Sequence, residues 1–198
     1  MNNIVRKVAQ LQGPILILGG SGFIGANLLR TLLGGREDVF GTTTHLPTWR
    51  LEGLPNKNII VTDLLIDANI DSLIKDIKPR TIFNCVAYGA YSFERDTQLI
   101  YQTNFNFTAK LLDRLKSGKI SCYVHAGSSS EYGDHSAGPT ERELPAPNSD
   151  YAVSKVACAN LVYYLGTKHR LPCANLRLYS VYGSLEDSSR LIPNVIRC

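Results

Sequence analysis

A chain of 198 residues is long enough for one well-packed domain and too short for two of average size. An apolar share of 44% and a charged share of 19% are those of a globular protein, while a formal net charge of +4 without any long basic run gives nucleic acid no footprint. The longest apolar run near the N-terminus, ILIL at 15–18, is too short for a membrane span or a secretory leader, so no membrane partner is expected.

The first predicted strand, PILILG (14–19), runs into GGSGFIGANLL, which places Gly19, Gly22 and Gly25 as G-x-x-G-x-x-G ahead of a helix predicted over 22–34. Glycine at such a turn lets the chain bend sharply, lets a pyrophosphate approach the backbone and lets the helix pack close to the sheet. The helix start, with Phe23 and Ile24, offers unpaired N–H groups to the phosphates. A second strand, 38–43, ends on Thr43 where dinucleotide sites often carry an acid for the adenosine ribose. Without that carboxylate a 2′-phosphate is not repelled, and His45 or Arg50 could meet it, which leans the cofactor from NAD toward NADP.

A third strand is predicted at 58–63 and a helix at 68–77, then a fourth strand at 81–87 and a long helix at 94–117. The fifth strand, 121–127, ends in Ser128, Ser129 and Ser130, at the carboxyl edge where open α/β sheets bind ligands. The helix predicted over 149–169 opens with SDYAVSK, and residues four apart share a helix face, so Tyr151 and Lys155 project together. A tyrosine hydroxyl is a poor base near neutrality, and a neighbouring ammonium is expected to lower its pKa. The sixth strand is predicted at 173–180, after which SLEDSSRLIPNVIRC begins a further loop and helix. Strands alternating with helices, several of them continuously apolar, point to a Rossmann-like, doubly wound α/β fold with a parallel sheet. Five cysteines, at 85, 122, 158, 173 and 198, form no C-x-x-C pair and no zinc spacing, so neither a disulfide framework nor a metal site is expected and a reducing cytoplasm fits best.

GGSGFIG, SSSEYG and YAVSK, in that order and spacing, resemble the extended short-chain dehydrogenases/reductases of the nucleotide-sugar epimerase/dehydratase family. The resemblance implies NAD(P) as cofactor, a nucleotide-sugar substrate and a catalytic triad of Ser128, Tyr151 and Lys155. Tyr151 would exchange a proton with a sugar hydroxyl, Lys155 would lower its pKa and hold the nicotinamide ribose, and Ser128 would steady the reacting oxygen. It further implies cofactor contacts at Asp63 and Leu64 in VTDLL and at Val86 and Ala87 after the fourth strand, together with Asn104 in the following helix. Ser129, Ser130 and Ser180 would face substrate, and the helices near 94–117 and 149–169 would form a homodimer.

Three departures from the family pattern stand out. Family dehydratases carry an acid within the segment that begins at Ser128, whereas this chain has three serines and Glu131 one step late. Epimerase and 4-keto reductase therefore lead, with a dehydratase using a displaced Glu131, or a non-catalytic dinucleotide-binding regulator, as alternatives. Ser180 stands where many members have asparagine. Members of the family also continue well past this length, so residues 1–180 are expected to be the dinucleotide-binding domain and 181–198 the start of a substrate region of which most is absent.

Overall fold

The computed structural model describes residues 3–91 and 93–197, so Cys198 lies outside the described residues. Six strands, β1 Ile15–Leu18, β2 Val39–Thr43, β3 Ile59–Val61, β4 Thr81–Asn84, β5 Cys122–Ser128 and β6 Cys173–Leu178, form one sheet in the order β3-β2-β1-β4-β5-β6. Every pairing is parallel. The order reverses between β1 and β4, which opens a crevice at their carboxyl ends.

Among the described residues there are seven α-helices: α1 Asn3–Gln10, α2 Phe23–Leu33, α3 Asp67–Ile77, α4 Thr97–Tyr101, α5 Phe107–Leu115, α6 Asp150–Lys168 and α7 Leu191–Arg197. All four residues of β1 are fully buried because the strand packs on both faces. Leu16 and Leu18 join Ile70, Leu112 and Val162 of α3, α5 and α6, whereas Ile15 and Ile17 join Ala26, Leu29 and Leu32 of α2. This alternation along one strand is what divides the core into two layers.

Three sequence expectations change. The single helix over 94–117 is α4 and α5 joined by a wider, π-type turn at Gln102–Asn106. Such turns interrupt the helical ladder and often mark functional positions. The strand expected over 81–87 stops at Asn84, whose Oδ1 accepts the Val86 N–H at 3.2 Å and turns the chain out of the sheet. Finally, α1 was not expected, since its eight residues carry no capping signal.

Asn104 sits in the π-type turn, 1% exposed. Its amide accepts the Tyr88 N–H and donates to the Tyr88 carbonyl, each at 2.9 Å, and donates to Ser154 Oγ at 2.9 Å. One side chain thus ties the segment after β4 to α6. An Asn104→Leu variant leaves the Tyr88 backbone pair without partners and is expected to lose about 1–3 kcal/mol of stability in urea denaturation.

Candidate active site

Gly19 adopts φ +75, and a Cβ there would press on the backbone of Cys85 and Val86 at 3.0 Å. Its N–H donates to Thr42 Oγ1 at 3.0 Å, which wedges the turn between β2 and β4. A Cβ at Gly25 would collide with the Gly19 carbonyl oxygen, so only glycine lets α2 start this close to β1. Gly22 is the N-cap of α2 and provides no side-chain cap, so no side chain competes with an anion for the first-turn N–H groups.

A cavity of about 1090 Å³ opens at the sheet crevice. Gly22, Phe23, Ile24 and Ala87 are among its lining residues, as are Ser128, Ser129, Ser130 and Ser180. Tyr151 and Lys155 enter from the first turns of α6, whose N-cap Ser149 accepts the Ala152 N–H at 3.2 Å. That cap fixes where the helix begins, and with it the direction in which Tyr151 leaves the backbone.

Lys155 is 1% exposed, and its Nζ donates to the Ala126 carbonyl at 2.9 Å and stands 5.6 Å from the Tyr151 ring centroid. Burial holds its pKa below the ordinary lysine value, against the opposing pull of Cys158, Glu131 and Cys85. Tyr151 is raised above the ordinary tyrosine value, chiefly by burial. A hydrogen bond with Ser128 works against that rise, as does the charge of Arg190, while Glu131 and Glu94 add to it. In the protein alone, Ser128 and Arg190 act to lower the phenol's pKa and desolvation outweighs them.

The sequence profile described as "NAD dependent epimerase/dehydratase family" matches residues 15–198. The chain belongs to this family. A UDP-glucose 4-epimerase of Mycolicibacterium smegmatis is 29% identical over 87% of this chain and 57% of the relative. The solved UDP-glucuronic acid 4-epimerase of Bacillus cereus with NAD is 27% identical with TM-score 0.79, covering 92% of this chain and 61% of that one. The same enzyme with UDP-glucuronic acid and NAD is 26% identical with TM-score 0.79, over 92% of this chain and 62% of that one. This chain thus spans about three-fifths of the length of the relatives it matches.

The remaining expected epimerase/dehydratase positions lie around the cavity rather than on its wall. Thr43, the last residue of β2, donates its hydroxyl to the His45 carbonyl at 3.0 Å, and Asp63, two residues past the end of β3, accepts the Leu65 N–H on Oδ1 at 2.9 Å. Leu64 is buried in the core against α3. Val86 packs against that same core, and Asn104 acts on the Tyr88 backbone, not on the cavity.

Several lining residues were not singled out in the sequence. Arg190 stacks its guanidinium 4.3 Å from the centroid of Tyr91, and Glu94 folds the loop after β4 by accepting the N–H groups of Gly89 and Tyr91 at 2.8 and 3.1 Å. These positions come from loops without a motif, so nothing in the spacing marks them. Glu131, weighed as a displaced acid, is 0% exposed, and both of its oxygens are engaged by other groups. It does not line the cavity. Among the described residues no three His, Cys, Asp or Glu side chains converge as metal ligands would. Nor is any described helix long and apolar enough to cross a membrane.

Proposed function

We propose that residues 1–180 are the dinucleotide-binding and proton-transfer part of a nucleotide-sugar epimerase, with 181–198 the beginning of its substrate-binding region. The observation that carries this reading is the meeting of Ser128, Tyr151 and Lys155 with the glycine loop on one cavity. NAD fits the open α2 N-terminus and the Gly19 and Gly25 cradle, and supplies the hydride that leaves and returns to a sugar carbon. Phe23 and Ile24 would meet its phosphates through their N–H groups, and Ala87, Tyr151 and Lys155 its ribose. Tyr151 holds or takes the proton of a sugar hydroxyl, and Ser128 steers that hydroxyl toward it. Ser129, Ser130 and Ser180 supply further hydroxyls on the substrate side.

A 4-keto reductase uses the same residues and is the second reading; the dehydratase reading loses its acid, because Glu131 is engaged elsewhere. NAD is the proposed cofactor, since it is the one bound in the similar solved epimerase; Arg50 Nε donates to the Leu185 carbonyl at 2.8 Å and His45 Nδ1 stands 3.0 Å from Thr44 Oγ1. The four described cysteines are free, which supports a reducing, cytoplasmic setting. Tyr163 and Tyr164, 73% and 49% exposed on α6, support the homodimer proposed through α4, α5 and α6.

The test is calorimetric titration with NAD and NADP, followed by UDP-glucose or UDP-glucuronic acid with bound NAD. Tighter binding of NAD and interconversion of C4 epimers without net NADH are expected. Absence of NAD binding would sink the reading, and net consumption of NADH with a 4-keto sugar would move it to the reductase.

A further inference from the structure

Behind Ser128 lies a charge pair that proton transfer itself does not use. Glu131 follows Ser128 in a short helical turn, Ser129–His135, and Arg177 comes from the edge strand β6. Glu131 Oε2 accepts from Arg177 Nε at 2.7 Å with the carboxylate side chain 0% exposed and the guanidinium side chain 20% exposed. Its other oxygen, Oε1, accepts the Ser128 N–H at 3.0 Å, and Ser128 Oγ accepts the Ser130 N–H at 3.1 Å. This is a reciprocal capping box with Ser128 at the N-cap.

Asn175 Nδ2 donates to both carboxylate oxygens, at 3.2 and 3.4 Å. Arg177 is held in turn by the Tyr132 hydroxyl at 2.8 Å and the Glu141 carbonyl at 3.0 Å. Room for the carboxylate exists because Gly127, paired with Arg177 across β5 and β6, has no Cβ; one built there would come within 2.5 Å of Glu131 Oε1.

Capping boxes usually face water, where the acid needs no cation. A buried carboxylate does need one, and a buried ion pair is a poor source of stability compared with apolar packing of the same size. What the arrangement does provide is a fixed position for one backbone N–H. Ser128 Oγ accepts from Ser130 and is also hydrogen-bonded to Tyr151, so whatever fixes the Ser128 backbone fixes where that hydroxyl stands in the cavity.

We infer that Glu131 and Arg177 are a positioning pair that sets the Ser128 hydroxyl against Tyr151. The inference rests on the proposed proton-transfer role of those two residues. Displacing a reacting group by about 1 Å can cost on the order of 100-fold in rate, so the pair acts on turnover and not on cofactor binding.

The test compares Glu131→Ala, Glu131→Gln and Arg177→Met, with NAD bound and UDP-glucose or UDP-glucuronic acid as substrate. Glu131→Ala and Arg177→Met are expected to lower kcat about 100-fold with KM and the NAD Kd unchanged. Glu131→Gln, which keeps a carbonyl acceptor for the Ser128 N–H, is expected to recover about tenfold of that loss. If Arg177→Met does not fold, the uncharged double variant Glu131→Gln with Arg177→Met replaces it, and the same loss in kcat is expected.

Amide hydrogen exchange gives a readout that does not need turnover. The Ser128 and Ser130 amides should lose protection in Glu131→Ala and regain it in Glu131→Gln, with β1 and β4 unchanged. Wild-type kcat and Ser128 protection in Glu131→Ala would overturn the inference, and so would a loss of protection spread evenly over the sheet. If the unaltered chain turns over neither UDP-sugar, the proposed function fails while the exchange experiment still decides the positioning role.

Discussion

Tyr151→Phe is expected to slow turnover of a UDP-sugar by about 10²–10⁴-fold, the usual worth of a positioned general acid or base. The ring stays, so the packing beside Lys155 and the start of α6 stay with it. Only the hydroxyl is lost, and NAD affinity should fall by no more than about tenfold, the scale of a single hydrogen bond. Stopped-flow turnover and calorimetry on the same preparation check the two halves. Turnover equal to the parent would show that the proton passes through some other group.

The second large effect concerns acid stability. His125 lies on β5, 1% exposed, with Nδ1 at 3.3 Å from the Tyr123 hydroxyl and 3.4 Å from Asn84 Nδ2. Its Nε2 has no hydrogen-bond partner among the described residues. Burial, reinforced by the charge of Lys155, pushes its pKa down to about 3 from the ordinary 6.5. The folded protein therefore holds His125 neutral where the unfolded chain takes up a proton. Stability from this site is fully present above pH 6.5 and drains away as pH falls from there toward 3. Two pH units into that window the loss is about 2–3 kcal/mol, an order-of-magnitude figure. Urea denaturation at pH 7.5 and 4.5 should show it, and His125→Gln should flatten the difference. A wild-type protein equally stable at both pH values would contradict the buried neutral imidazole.

The strands were legible because β1 is apolar along its length and β2 and β4 carry the apolar pairs Val39-Phe40 and Ile82-Phe83, and a parallel sheet covered on both faces asks for that pattern. The glycine loop and Tyr151 with Lys155 were legible because each motif is local, its chemistry set by spacing within one turn. Asn104 was visible as a residue but not in its effect, since the π-type turn depends on a partner, Tyr88, in another segment. Glu131 shows the same limit more sharply. Its role is decided by Arg177, 46 positions away, which only the pairing of β5 with β6 brings near. The burial that raises the Tyr151 pKa was not legible, because a charge four residues off can be read in a sequence whereas depth of burial cannot.

Among the described residues β6 has a strand on one side only, with Leu176 48% exposed. An unpaired rim of this kind is where further chain can be grafted without rewiring what is already hydrogen-bonded. Ser128, Tyr151 and Lys155 are all anchored inward of that rim, on β5 and α6. On the proposed function, chemistry and recognition are thereby separable: a lineage can exchange whatever borders β6, and with it the sugar selected, while inheriting one unaltered set of proton-handling groups.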